Sequence, residues 1–154
     1  MKSRGGGRRI LIEALLCMVA LGTGCTAGYG VFLRPTSEAR DDAAVIADLD
    51  ALAKAKGFAL GLVAPYPSGG GFTATYLKRF SDRPYDEIRM LVSYDDGKSA
   101  KRTPVRVTIL NPVRTDDTMR AEIDAFAIMC RDVMERSLGK GTVEMTTSSV
   151  GREW

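Results

Sequence analysis

The first half of the chain contains a segment with the apolar periodicity of an amphipathic helix, over about residues 38–56. Its apolar positions recur at spacings of three and four: Ala39, Ala43, Ile46, Leu49, Leu52 and Ala53. Thr36 or Ser37 can cap its start, and Gly57 suits the position after its end. Acidic residues gather early and lysines late, which agrees with the helix dipole. The pattern therefore predicts a first helix here.

A second helix is predicted near the C-terminus, with Thr115 or Asp116 as its cap and Gly139 after its end. The apolar stripe of this helix consists of Met119, Ile123, Phe126, Ala127, Cys130, Val133, Met134 and Leu138. A stripe of this length indicates a helix that packs one face against a core.

Five segments have the composition or the two-residue alternation of β-strands. They are residues 58–64, 72–80, 85–94, 104–110 and 142–150. The first is a short, continuous apolar run, which we interpret as a buried strand. Asp95-Asp96-Gly97-Lys98 predicts a hairpin turn, because Asp-Gly tolerates the positive φ of a type I′ turn.

This succession of elements predicts an α+β domain with the order α-β-β-β-β-α-β. The simplest packing places two amphipathic helices on one face of a mostly antiparallel sheet of about five strands. The other face of the sheet would then be partly polar and open. With 154 residues, the chain is long enough for one domain of this kind, which we assign to residues 37–154.

The N-terminal segment has the parts of an export signal. Residues 1–9 are short and basic, residues 10–21 are apolar except for Glu13, and Gly22, Thr23 and Gly24 are small. We assign residues 1–24 to a signal peptide and residues 25–36 to a tether. Val31, Phe32 and Leu33 within that tether either lie on the membrane surface or begin the fold.

Leu21-Gly22-Thr23-Gly24-Cys25 resembles the lipobox of bacterial lipoproteins, although Gly22 stands where a leucine is commoner. The resemblance covers the leader alone. It implies cleavage between Gly24 and Cys25 and lipidation of the Cys25 thiol, so that the domain faces the periplasm. For the class, Thr26 in place of an aspartate implies the outer membrane. Two other interpretations stay open: residues 10–33 as an uncleaved helix in the inner membrane, and a plain secretion signal.

The excess positive charge of the chain also lies in the predicted signal peptide. The formal net charge is +3, but residues 1–24 hold four basic residues against Glu13, which accounts for all of the excess. The remainder of the chain is neutral. A nucleic-acid partner is therefore not expected.

The residue types available limit the chemistry that this chain can perform. There is no histidine, which removes Ser-His-Asp and Cys-His catalysis and every imidazole metal site. Cys130 lies on an apolar helix stripe and is expected to be a buried structural thiol. The acidic pairs Asp41-Asp42 and Asp116-Asp117 lie at predicted helix starts and Asp95-Asp96 lies in a predicted turn, where local backbone chemistry accounts for them. We therefore expect no catalytic residues, no metal and no cofactor.

A candidate partner-contact loop follows the first strand. It consists of Tyr66, Pro67, Gly69, Gly70, Gly71 and Phe72. The glycines lack the Lys-Ser/Thr of a phosphate-binding loop and lead into a strand, so a flexible loop is the simpler interpretation.

Together these features predict a membrane-anchored envelope lipoprotein that acts non-catalytically as an accessory or protein-binding component of an envelope assembly. A periplasmic immunity protein that neutralises a toxin is the first alternative, and an enzyme that depends on carboxylates is the second.

Overall fold

A computed structural model describes residues 28–36, 42–65, 70–81, 86–95, 103–113 and 115–150. The strands and helices, numbered in chain order, are β1 (Gly28–Pro35), α1 (Asp42–Ala55), β2 (Ala59–Pro65), β3 (Gly71–Arg79), β4 (Glu87–Asp95), β5 (Thr103–Asn111), α2 (Asp117–Leu138) and β6 (Val143–Val150). The predicted α+β class is confirmed.

The six strands form one sheet in the order β2-β3-β4-β5-β1-β6. Every neighbouring pair is antiparallel. The expected number of about five strands is therefore wrong by one, and the element order begins with a strand instead of a helix.

The additional strand is β1, which lies within the segment expected to be a tether. Val31 and Leu33 are each 1% exposed, so these apolar residues begin the fold. Gly28 contributes because a Cβ at this position would overlap the backbone of Asn111 and Pro112 at the end of β5. The glycines that suggested a tether thus include one that lets β1 lie closely against its neighbour.

The core lies between the two helices and one face of the sheet. Val45, Leu49 and Ala53 of α1 and the predicted stripe of α2 from Met119 to Met134 are buried there. Phe58 and Phe126 stack with ring centroids 4.4 Å apart, which joins the chain after α1 to α2. The predicted amphipathic face of α2 is confirmed.

The helix ends follow the predicted chemistry where they are described. Asp116 caps α2, since its Oδ1 accepts a hydrogen bond of 2.7 Å from the Met119 N–H. Gly57 has φ of +82° after α1, with the Gly57 N–H bonded to the Lys54 carbonyl and the Phe58 N–H to the Ala53 carbonyl. These two bonds form a Schellman motif. Residues 37–41 lie outside the described residues.

The antiparallel register defines two ends of the sheet. At the Gly28 end, β1 starts beside the last residue of β5, since Tyr29 pairs with Asn111. β3 also ends there and β4 begins there, because Arg79 pairs with Glu87. At the Pro35 end, β1 finishes beside the first residue of β6. Within the described residues, neither helix has the length and apolar composition that a bilayer span requires.

Candidate functional site

The most exposed apolar side chains of the described residues include three on strand β2. Leu60 is 49% exposed, Leu62 62% and Val63 55%. β2 is the first strand of the sheet and bonds only to β3 among the described strands. Our interpretation of residues 58–64 as a buried strand is therefore wrong: Phe58 is buried, but β2 itself is an exposed edge.

An irregularity in the β2–β3 pairing determines where these side chains lie. Leu60 pairs with Tyr76 and Leu62 with Thr75, so the register shifts by one residue at Gly61. A bulge of this kind interrupts the two-residue alternation. As a result, Leu60 and Val63 both lie on the helix side of the sheet, although they are three residues apart.

Beside them, α1 and the sheet enclose a groove of about 480 Å³, which we call the α1–β2 groove. It is lined by Ala43, Ile46, Ala47 and Asp50 of α1 and by Leu60, Val63, Phe72, Ala74 and Tyr76 of β2 and β3. α1 turns its buried residues Val45, Leu49 and Ala53 toward the centre of the sheet. Its next row of side chains therefore forms one wall of the groove and leaves β2 uncovered.

The groove contains one polar cluster. The Tyr76 hydroxyl donates a 3.0 Å hydrogen bond to Asp50 Oδ1, and Lys54 Nζ lies 2.7 Å from Asp50 Oδ2. The bond from Lys54, joined by the one from Tyr76, holds the pKa of Asp50 below its ordinary value. Burial, together with the bond to Asp50, raises the pKa of Tyr76 to about 12.

These pKa shifts limit what the groove can do chemically. Asp50 remains a carboxylate near neutral pH and Tyr76 a neutral phenol, so neither is adjusted toward proton transfer at that pH. The remaining surface is apolar. The groove is suited to receive apolar side chains of a bound segment, with Asp50 and Tyr76 at one polar position.

The edge of β2 is also uncharged. No charged residue occurs from Gly57 to Leu77. Natural edge strands are commonly protected from pairing with other chains by charges, prolines or bulges. β2 has only Pro65 at its end and the bulge at Gly61. None of the other described strands pairs with the outer backbone groups of β2, and addition of a strand to such an edge is a common mode of peptide recognition.

The opposite edge of the sheet is different in character. β6 has the sequence VEMTTSSV, with a carboxylate at Glu144 and four hydroxyl side chains. Among the β6 side chains whose burial is described, the exposed apolar one is Met145, at 38%. The two edges thus offer a matched comparison between an apolar and a polar strand.

A second groove, of about 360 Å³, lies on the open face of the sheet and includes Phe32, Thr108 and Thr146 in its lining. Arg34 and Arg106 lie side by side there, since Leu33 pairs with Val107. Glu144 pairs with Arg34 and offsets one of the two positive charges. The remaining charge faces solvent, where salt screens it. This groove is a weaker candidate than the edge of β2.

The predicted partner-contact loop is described only in part. Tyr66, Pro67 and Gly69 lie outside the described residues, as do Gly24 and Cys25. Gly71 allows β3 to pack closely against β4, since a Cβ at this position would overlap the Tyr94 carbonyl group. Phe72 does line the α1–β2 groove. The structure therefore connects one member of the predicted loop with the groove.

Nothing in the sequence alone distinguishes Leu60, Leu62 and Val63 as candidate contact residues. A continuous apolar run is typical both of a central strand and of an uncovered edge. The absence of charge from Gly57 to Leu77 is equally compatible with either. The strand order shows that β2 is an edge strand. No local feature of the sequence encodes that order.

Cys130 is 0% exposed, and burial raises the pKa of its thiol to about 12, which confirms the predicted buried thiol. In the part of the chain that the structure describes, no three His, Cys, Asp or Glu residues are grouped so that they could hold a metal ion.

A scan against protein-family models matched none of them to this chain. A search of curated proteins likewise found none with significant similarity.

Proposed function

We propose that this chain is an exported bacterial lipoprotein, anchored in the cell envelope through Cys25, whose domain acts non-catalytically by binding another protein along strand β2. The outer membrane, with the domain in the periplasm, is the location that the lipoprotein resemblance favours. The observation that carries the binding role is the uncharged, exposed edge of β2 beside the α1–β2 groove.

The physical basis of the binding role is an unused apolar surface. Leu60, Leu62 and Val63 expose about half or more of their area to water. Transfer of such area into an interface contributes roughly 25 cal/mol for each Å² that is buried. A partner strand would gain backbone hydrogen bonds along β2 and a groove for its side chains at the same time.

The anchoring role is tested at Cys25. Replacement Cys25→Ala is expected to abolish incorporation of a labelled fatty acid and to leave the leader uncleaved at this site. Cys17→Ala, which alters the other cysteine of the leader, is the matched control and should leave both unchanged. Unaltered acyl labelling of Cys25→Ala would contradict the lipoprotein assignment. An intact, unlabelled wild-type chain in the inner membrane would favour the uncleaved helix.

The binding role is tested by affinity capture of the tagged full-length protein from membranes of its native host. Val63→Lys should remove the captured partner, because it places a charge in the groove wall. Met145→Lys on β6 is the control and should retain it. Both side chains are exposed, so each change should alter the free energy of unfolding by less than about 0.5 kcal/mol.

The identity and ratio of the captured proteins separate the remaining alternatives. Envelope-assembly subunits in a fixed ratio would support the accessory role, whereas one dominant toxin-like protein would support an immunity role. Equal capture by the wild type and Val63→Lys would contradict binding along β2.

A further inference from the structure

We propose that the Gly28 end of the domain lies against the bilayer that holds the lipid of Cys25, and that the Pro35 end points away from it. This inference rests on the lipidation of Cys25 in the proposed function. It follows from the position of β1, which leaves only Thr26 and Ala27 between the lipidated residue and the folded sheet.

The covalent chain limits the distance from the lipid to the domain. Cys25 and Gly28 are three residue steps apart, which span at most roughly 11 Å when fully extended. The polar headgroup layer on each side of a bilayer is about 5–8 Å thick. A chain that leaves the glycerol level must cross this layer, so the start of β1 cannot lie far above the membrane surface.

The start of β1 is firmly integrated into the fold. Gly28 lies so close to Asn111 and Pro112 that no side chain would fit between them. Asn111 of β5 is fully buried, and its Nδ2 donates a 2.8 Å hydrogen bond to the carbonyl of Glu87, the first residue of β4. The anchor point is therefore coupled to three adjacent strands, and the orientation of β1 sets that of the whole sheet.

The surface at the Gly28 end fits contact with a lipid surface. Val113 is 40% exposed and Phe80 is 42% exposed, and both follow strands that finish at this end. Val113 is held in place by a 2.9 Å hydrogen bond from its N–H to Asn111 Oδ1. The Lys78 ammonium group, which is ion-paired with Glu122 of α2, lies 5.3 Å from the centre of the Phe80 ring and so helps to position that ring at this end.

Electrostatic attraction is not the main force in this contact. The exposed charges around this end have both signs, with Lys56 and Arg79 against Asp116 and Asp117. Adhesion should therefore depend on the lipid and on the two apolar side chains, and the orientation should persist at high salt.

In this orientation, the Pro35 end is the membrane-distal end of the domain. β1 has 8 residues and rises about 3.3 Å per residue, so this end can stand up to about 23 Å farther from the membrane. β2 ends there and β3 begins there, which places Gly70, Gly71 and the Phe72 side of the α1–β2 groove at the membrane-distal end. A partner in the periplasm would approach this end without obstruction by the bilayer.

The test uses lipidated full-length protein in phosphatidylcholine vesicles that contain a lipid with a nitroxide on its headgroup. A fluorophore is attached in separate variants at Val113→Cys, at the Gly28 end, and at Lys140→Cys, in the turn at the Pro35 end. Cys130 is fully buried and remains unlabelled in the native protein. Phe80→Cys is a second probe at the Gly28 end, in case Val113→Cys fails to fold.

Quenching should be severalfold stronger at Val113 and Phe80 than at Lys140, both at low and at high salt. Insertion of about ten Gly and Ser residues between Ala27 and Gly28 should weaken this contrast, because such a linker extends roughly 18 Å on average. Equal quenching at the two ends of an acylated protein would overturn the orientation alone. Absence of acylation at Cys25 would overturn the orientation together with the proposed anchoring.

Discussion

At the wall of the α1–β2 groove, Tyr76 is 4% exposed and its hydroxyl donates a hydrogen bond to Asp50. Burial and this bond favour the neutral phenol in the folded protein and raise the pKa of Tyr76 to about 12, from 10.0. This contribution to stability is fully present below pH 10. It is lost as the pH rises from about 10 to about 12, where the phenol ionises in the folded state as well.

Replacement Tyr76→Phe should therefore lower the free energy of unfolding by about 1–2 kcal/mol at pH 7, since one hydrogen bond to a carboxylate is lost. The difference from the wild type should then narrow between pH 10 and pH 12. Urea unfolding at pH 7 and pH 11 measures both effects. A difference that stays constant across this range would contradict the raised pKa of Tyr76, because it would show that the folded protein does not favour the neutral phenol over the phenolate.

Gly71 is a second position where the addition of a single atom is expected to affect stability. A Cβ there would overlap the Tyr94 carbonyl group in the neighbouring strand, which cannot yield without moving the backbone of β4. At Gly61, by contrast, the nearest atom to a Cβ is Leu77 Cδ1 at 3.1 Å, the end of a flexible side chain. Both glycines lie in strands, but only one of them is required by its surroundings.

We expect Gly71→Ala to reduce the free energy of unfolding by about 3 kcal/mol and Gly61→Ala to change it by less than about 1 kcal/mol. Thermal unfolding of the two variants beside the wild type makes the comparison. Similar losses for both would indicate that the clash at Gly71 is relieved by local rearrangement.

At the scale of elements, α1 has two functionally different rows of side chains. Leu49 belongs to the row that is fully buried against the sheet, whereas Ile46 is half-buried and lines the groove. The expected apolar stripe of this helix contained both residues. Periodicity identifies a wide apolar face, but the position of the neighbouring strand decides which part of that face is covered.

Substitutions in the two rows should differ in their effect on the free energy of unfolding. Leu49→Ala should cost about 3 kcal/mol of unfolding free energy, because it leaves a cavity in the core. Ile46→Ala should cost about 1 kcal/mol or less and should weaken partner capture. Chemical denaturation and the capture experiment together check this, and equal stability losses would contradict the assignment of Ile46 to the groove wall.

For the whole molecule, the sequence predicts the elements that depend on local periodicity. The stripe of α2, its cap at Asp116 and the alternating face of β4 are all present. β1 escaped prediction because its partners are remote: Tyr29 pairs with Asn111 on one side and with Ser149 on the other. The exposure of β2 was missed for the same reason, since burial of a strand depends on which elements lie beside and above it.

The place of β1 in the sheet also governs the order in which the fold can form. β1 is the first of the described strands to be synthesised, yet its two neighbours, β5 and β6, are the last of them. Pairings between such distant segments close slowly, because a long loop must be ordered before any contact forms. One edge of β1 stays unpaired until β6 has been synthesised, because β6 is its partner on that side. In a nascent chain, strands β2 to β5 can therefore pair with one another before β1 acquires its second neighbour.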